Sequence, residues 1–94
     1  MNIDEAKQFI DKGNMAIIDI RDPDSFSESH IPEAMNVTGD NIETFITTAD
    51  KNKPLLCYCY HGISSQGAAA YLKDQGFREV YSLDGGFEAW RVAD

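Results

Sequence analysis

Basic residues are in short supply in this chain. Eight Lys and Arg stand against 16 Asp and Glu over 94 residues, a formal net charge of −8. Such a surface repels polyanions, which argues against nucleic acid and anionic membrane faces as partners. It also repels small anions at long range, so any anion site has to be built locally. Long apolar runs are missing too: none approaches the ~18 residues that span a bilayer. The opening MNIDEAK has neither the basic nor the apolar region of a signal peptide, and a cytoplasmic protein is expected. Cysteine is limited to Cys57 and Cys59, and histidine to His30 and His61. Two cysteines one residue apart on a strand do not close a disulfide without distorting the backbone, so free thiols are expected. A structural zinc site needs four such ligands in the usual spacings, and neither metal nor cofactor is expected here. Repeats, low-complexity tracts and linkers are absent, so residues 1–94 read as one domain.

What is present alternates in period. Ile3, Ala6, Phe9 and Ile10 have helical spacing, with Asn2 or Asp4 as the cap and Gly13 as the stop. Met15 to Ile20 is a short β-branched run suited to a strand buried on both faces. Asp22 caps a short helix opened by Pro23, and His30-Ile31-Pro32 is a loop. Ala34 to Val37 reads as a brief strand. Asp40 or Asn41 starts a helix carrying Ile42, Phe45 and Ile46. Leu55 to Cys59 is the central strand, Ser64 to Gln75 a helix ended at Gly76, Glu79 to Leu83 a strand, and Phe87 and Trp90 belong to a last helix. Strands alternating with helices imply βαβ crossovers, hence an α/β fold with a mostly parallel sheet and helices on both faces.

The chemistry gathers at LLCYCYHGISSQGAAA, residues 55–70. Cys59 ends the strand, and the loop Tyr60 to Ser64 leads into an alanine-rich helix. Loop N–H groups and the positive end of the helix dipole favour an anion at that place, and a thiolate or a persulfide is one. A helix N-terminus lowers a thiol from about 8.5 to about 7 or below. The other fate of a free cysteine is burial as an inert core residue, and the loop alone leaves both open. Gly62 lets the loop curl. His61 either stabilises the anion when protonated or decorates the loop. Ser64 and Ser65 cap the helix, donate to a bound sulfur species, or both. Cys57 belongs inside the sheet, His30 fixes its own loop, Arg21 pairs with a nearby carboxylate or carbonyl, and Phe87 and Trp90 are core.

Three ordered motifs carry a resemblance. Asp19-Ile20-Arg21-Asp22 with Phe26 and His30-Ile31-Pro32-Glu33-Ala34-Met35-Asn36 is similar to the first signature of rhodanese domains. Asp84-Gly85-Gly86-Phe87-Glu88-Ala89-Trp90 is similar to the closing signature, and Cys59-Tyr60-His61-Gly62-Ile63-Ser64 falls where that family places its catalytic loop. The resemblance implies a single rhodanese-like domain with a central, mostly parallel five-stranded sheet. It implies a thiosulfate sulfurtransferase in which Cys59 is the nucleophile and Tyr60, His61, Gly62, Ile63, Ser64 and Ser65 bind substrate. It also implies a persulfide on Cys59, passed to cyanide or to a dithiol, thioredoxin among the acceptors. Larger members carry basic residues in and near the loop that grip thiosulfate, where this chain has Tyr60, His61 and Ser25. Two relatives of that function are a sulfur carrier fed by a protein persulfide and a non-catalytic binding module. A phosphatase is a different class: its C-x5-R loop needs an arginine where this chain has Ser65.

Overall fold

The computed structural model describes residues 1–93; Asp94, the last residue of the expected domain, lies outside them. Each local signal in the first half produces its element. Helix α1 (Ile3–Lys12) begins at Asn2, whose Oδ1 accepts the Glu5 N–H at 2.9 Å while the Glu5 carboxylate accepts the Asn2 N–H at 3.0 Å. That reciprocal pair satisfies two N–H groups the first turn would leave bare. Strand β1 (Ala16–Asp19) follows, then α2 (Pro23–Glu28), with Asp22 accepting the Ser25 N–H and proline in the first turn. Strand β2 (Met35–Asn36) and helix α3 (Ile42–Thr48) precede β3 (Leu55–Tyr58). Helix α4 (Ser64–Asp74), strand β4 (Val80–Ser82) and helix α5 (Gly86–Val92) complete the order.

All strand pairs are parallel, in the order β2-β1-β3-β4. Because side chains alternate along each strand, the sheet has two apolar faces. Ile17, Leu56 and Tyr58 pack with Ala6 of α1 and Phe87 of α5, joined by Leu83 and Ile31. Ile18, Leu55 and Cys57 pack on the other face with Phe45 and Ile46 of α3 and Leu72 of α4. Helices on both faces explain why β1 and β3 tolerate almost no polar side chain. The exception is Asp19, fully buried at the end of β1.

The sheet corrects one expectation: it has four strands among the described residues, not five. Beyond β4 lies only the backbone of Met1. Its terminal ammonium donates to the Ser82 carbonyl at 3.0 Å, and its own carbonyl accepts the Asp84 N–H at 2.8 Å. That is strand-like pairing by one residue. The Asn2 cap turns the chain into α1 immediately, so no ladder develops. None of the described helices is long and apolar enough to cross a membrane.

The strand order sets where a ligand can go. From β1 the chain crosses outward to β2; from β3 it crosses the opposite way to β4. The connections therefore diverge between β1 and β3, and in open α/β sheets the crevice for ligands lies beyond the carboxyl ends of the strands at such a point. The residues there are Arg21 and Asp22 after β1, and Cys59 and Tyr60 after β3.

Candidate active site

Cys59 follows β3 by one residue, and its side chain turns under the start of α4. The sulfur is ringed by donors. The Gly62 N–H donates to Sγ at 3.2 Å and the Ser65 N–H at 3.3 Å, and the thiol itself donates to the Ser65 hydroxyl oxygen at 3.4 Å. The expectation that Ser64 or Ser65 caps α4 is not met. Ile63 occupies the cap position and offers no side-chain acceptor. The Ser65 N–H, one of the orphan donors of the first turn, is satisfied by the sulfur of Cys59 instead. The sulfur thus stands where a capping oxygen ordinarily would, and anionic charge on it faces the positive end of the helix dipole.

These contacts decide the protonation balance. Burial pushes the Cys59 thiol up; the Ser65 hydroxyl and the N–H groups of Ser65, Gly62 and His61 more than offset that, and the net shift is downward from the ordinary thiol value. Cys57 goes the other way. Burial, then the neighbouring charge on Cys59, pushes it up to about 12. Cys57 remains a thiol that donates to the Ser65 carbonyl at 3.3 Å. Two cysteines two residues apart are separated into a thiol shifted down and a buried thiol shifted up by where the strand ends.

A cavity of about 260 Å³ opens onto the sulfur, lined by Cys59, Tyr60, His61, Ile63 and Ser64. Cys59 is 5% exposed, so reagents reach it only through this opening. Of the residues expected to bind substrate, Tyr60, His61, Ile63 and Ser64 line the cavity, and Gly62 contributes its N–H to the sulfur. Ser65 is fully buried, so its contact is with the sulfur itself and with Ser82, whose Oγ lies 2.7 Å from Ser65 Oγ. No arginine or lysine lines the opening. Tyr60 divides it from a second cleft of about 430 Å³ where Arg21 and Arg91 lie, and both are paired, with Asp19 and Glu88.

The rest of the site is scaffolding that ties the first and closing motifs to the loop. From the first motif, the Asp22 carboxylate accepts the Tyr60 hydroxyl and the Ser25 hydroxyl, the latter at 2.8 Å, and Ser25 Oγ also lies 2.7 Å from Tyr60 Oη. Tyr60 and then Ser25 hold the Asp22 carboxyl down at about 2. Arg21 lies behind them and is gripped by Asp19, through Nε at 3.1 Å to each carboxylate oxygen and Nη2 at 2.7 Å, and it also donates to the Ser29 carbonyl at 2.6 Å. His30 Nδ1 sits 2.7 Å from the Phe26 carbonyl, with its ring stacked on Phe26, away from the sulfur.

From the closing motif, the first turn of α5 holds the loop by its carbonyls. The Phe87 N–H donates to the Cys59 carbonyl at 2.8 Å and the Glu88 N–H to the Tyr60 carbonyl at 3.0 Å. This approach requires glycine. A Cβ on Gly86 would stand 2.6 Å from both carbonyl oxygens, and one on Gly62 would stand 2.8 Å from the Gly85 nitrogen; both residues have positive φ.

Residues 2–93 match the family described as the Rhodanese-like domain, and the chain belongs to the rhodanese family. Several bacterial proteins are similar to it over nearly the whole chain. It is 48% identical over 94 residues to a protein named thiosulfate sulfurtransferase GlpE from Shewanella oneidensis, covering all of this chain and 93% of that one. A protein of the same name from Coxiella burnetii is 49% identical over 88 residues, covering 94% of this chain and 82% of its own. Among solved structures, a rhodanese-like domain protein from Staphylococcus aureus superposes with a TM-score of 0.84 at 25% identity, covering 96% of this chain and 88% of that one.

Ser82 and Asp22 were not singled out as site residues in the sequence, and Ser25 stood out only as a position where larger members carry a basic residue. Asp22 reads as a helix cap, which it is, and nothing local announces its second partner at Tyr60. Ser82 had one available signal: it interrupts the apolar face of β4, two residues after Val80, which packs in the core under α4.

Proposed function

We propose that this chain is a sulfurtransferase that carries a sulfane sulfur on Cys59, with thiosulfate as donor. The observation that carries the reading is the sulfur of Cys59 held by two backbone N–H groups and a buried hydroxyl under an open cavity. The Cys59 thiolate attacks the outer sulfur of thiosulfate. A bond forms between the two sulfurs, the S–S bond of the donor breaks, and its electron pair leaves with sulfite. Cyanide then attacks the outer sulfur, giving thiocyanate and restoring the thiolate. With a dithiol, one thiol takes the sulfur and the second displaces it as hydrosulfide, leaving a disulfide; thioredoxin is an acceptor of this kind. The two half-reactions make a ping-pong scheme. Tyr60, His61, Ile63 and Ser64 form the walls the donor meets, and the N–H groups of Gly62 and Ser65 hold the attacking sulfur.

Intact mass after incubation with thiosulfate tests this. One added sulfur atom per chain is expected, lost on treatment with cyanide or a dithiol, with recovery of free thiol. An unchanged mass at saturating donor overturns the reading. A protein persulfide as donor is the second reading, favoured by Ile63, 76% exposed, and Tyr60, 40% exposed, at the cavity mouth. Exposed apolar side chains beside a reactive group suit a protein surface better than a small dianion.

Among the described residues no lysine or arginine lines the cavity at Cys59, and this sets the response to salt. Thiosulfate approaches a surface of formal charge −8, and repulsion reaches roughly 30 Å at 0.01 M salt but about 10 Å at 0.1 M. Raising inert salt across that range is expected to lower the KM for thiosulfate or leave it level. A KM that climbs steeply with salt would show that a basic side chain reaches the donor, contrary to this site.

A further inference from the structure

Resting on that reading, we propose that Ser82 of β4 is a positioning residue for the nucleophile, acting through Ser65 to keep a hydroxyl proton directed at the sulfur of Cys59. The geometry is a chain of three atoms: Ser82 Oγ to Ser65 Oγ at 2.7 Å, and Ser65 Oγ to Cys59 Sγ at 3.4 Å. Ser82 is the register partner of Cys57 on the neighbouring strand. It therefore reaches α4 from the sheet side, while Cys59 reaches it from the loop.

A serine hydroxyl has one proton to give. With Cys59 as a thiol, its S–H points to Ser65 Oγ, and the Ser65 proton points to Ser82. With Cys59 as a thiolate, the Ser65 proton has to turn to the sulfur. The oxygen of Ser65, fully buried, then needs a donor behind it, and the Ser82 hydroxyl is the one in place. No proton passes along the chain. Both hydroxyls rotate, and the thiol proton leaves to solvent through the cavity. An alanine at 82 leaves Ser65 Oγ without that donor in the thiolate state, which is the state an unmet buried acceptor penalises. Other titratable groups around the sulfur are Cys57 on β3, the register partner of Ser82, and Tyr60 and His61 in the loop, and the terminal ammonium of Met1 donates to the Ser82 carbonyl at 3.0 Å.

The test is the pH dependence of Cys59 alkylation by iodoacetamide, read by fragment mass so that Cys57 is scored separately. It needs no sulfur donor, so it stands apart from whether a persulfide forms: failure of the mass test above would leave this result intact, and the converse holds. In Ser82→Ala the midpoint is expected to rise by about half a unit to one unit, a loss of roughly threefold to tenfold in thiolate at pH values below it. Ser82→Gly should show the same rise and Ser82→Thr should return to the wild-type midpoint. In turnover, kcat/KM for thiosulfate should fall by the same factor at low pH and recover at high pH. Midpoints of Ser82→Ala and Ser82→Gly that overlie the wild type overturn the assignment. So does a rise that threonine fails to reverse, since a merely structural role would move melting temperature without moving the midpoint.

Discussion

Cys59→Ser should lower sulfur transfer by at least about a thousandfold, since a hydroxyl in the same place is neither ionised nor a good sulfur nucleophile. Cys57→Ser should keep most of the activity. Only Cys59 lies in the cavity and is held below the ordinary thiol value. Cys57 is fully buried and protonated, and its single polar contact, donation to the Ser65 carbonyl, can be made by a serine hydroxyl. Steady-state rates for the two variants, with added sulfur measured by mass, decide the matter. Equal loss in both would mean that the sulfur is handled by the pair of cysteines rather than by one nucleophile.

Arg21→Met should destabilise the domain by about 3–5 kcal/mol, the cost of stranding one member of a buried ion pair. Asp19 is fully buried, and the Arg21 guanidinium supplies its counter-charge and three of its hydrogen bonds at 2.7–3.1 Å. Burial works against the guanidinium, and Asp19 outweighs it, holding the Arg21 charge in place. The guanidinium is also packed 4.2 Å from the centre of the Phe87 ring, so the pair links β1 to α5 under the loop. For a domain of this size each kcal/mol corresponds to about 4–8 °C in Tm, which makes thermal unfolding a sensitive readout. Asp19→Leu combined with Arg21→Met should cost less than the sum of the two single changes, because neither partner is then left charged alone. Strict additivity would show that the residues contribute by packing and not as a pair.

Much of this organisation was legible in the sequence because it is local. The Asn2 cap, the proline after Asp22, the β-branched run from Met15 to Ile20 and the cysteine at a strand end each involve neighbours in the chain, and each gives the expected element. Arg21 as the partner of a carboxylate and a carbonyl is also local, since Asp19 and Ser29 are close in sequence. What was not legible depends on segments far apart. Asp22 meets Tyr60 across 38 positions, and Ser82 meets Ser65 across 17. Such contacts follow from strand order, which local pattern does not specify. The cap of α4 was misread for a related reason: serine is the expected acceptor at a helix start, and here a sulfur from outside the helix takes that place. The fifth strand came from resemblance, whereas the residues themselves show four runs with strand character.

The way α5 grips the loop bears on any attempt to move this chemistry to another scaffold. The carbonyls of Cys59 and Tyr60 are fixed by amides of Phe87 and Glu88, at a distance only a glycine at 86 permits. A graft or peptide copying residues 59–65 would carry Cys59 and the N–H groups that reach its sulfur but would leave the loop's own acceptors untethered. The transplantable unit is discontinuous: a loop and, with it, the turn at residues 83–88 that clasps it from the other side.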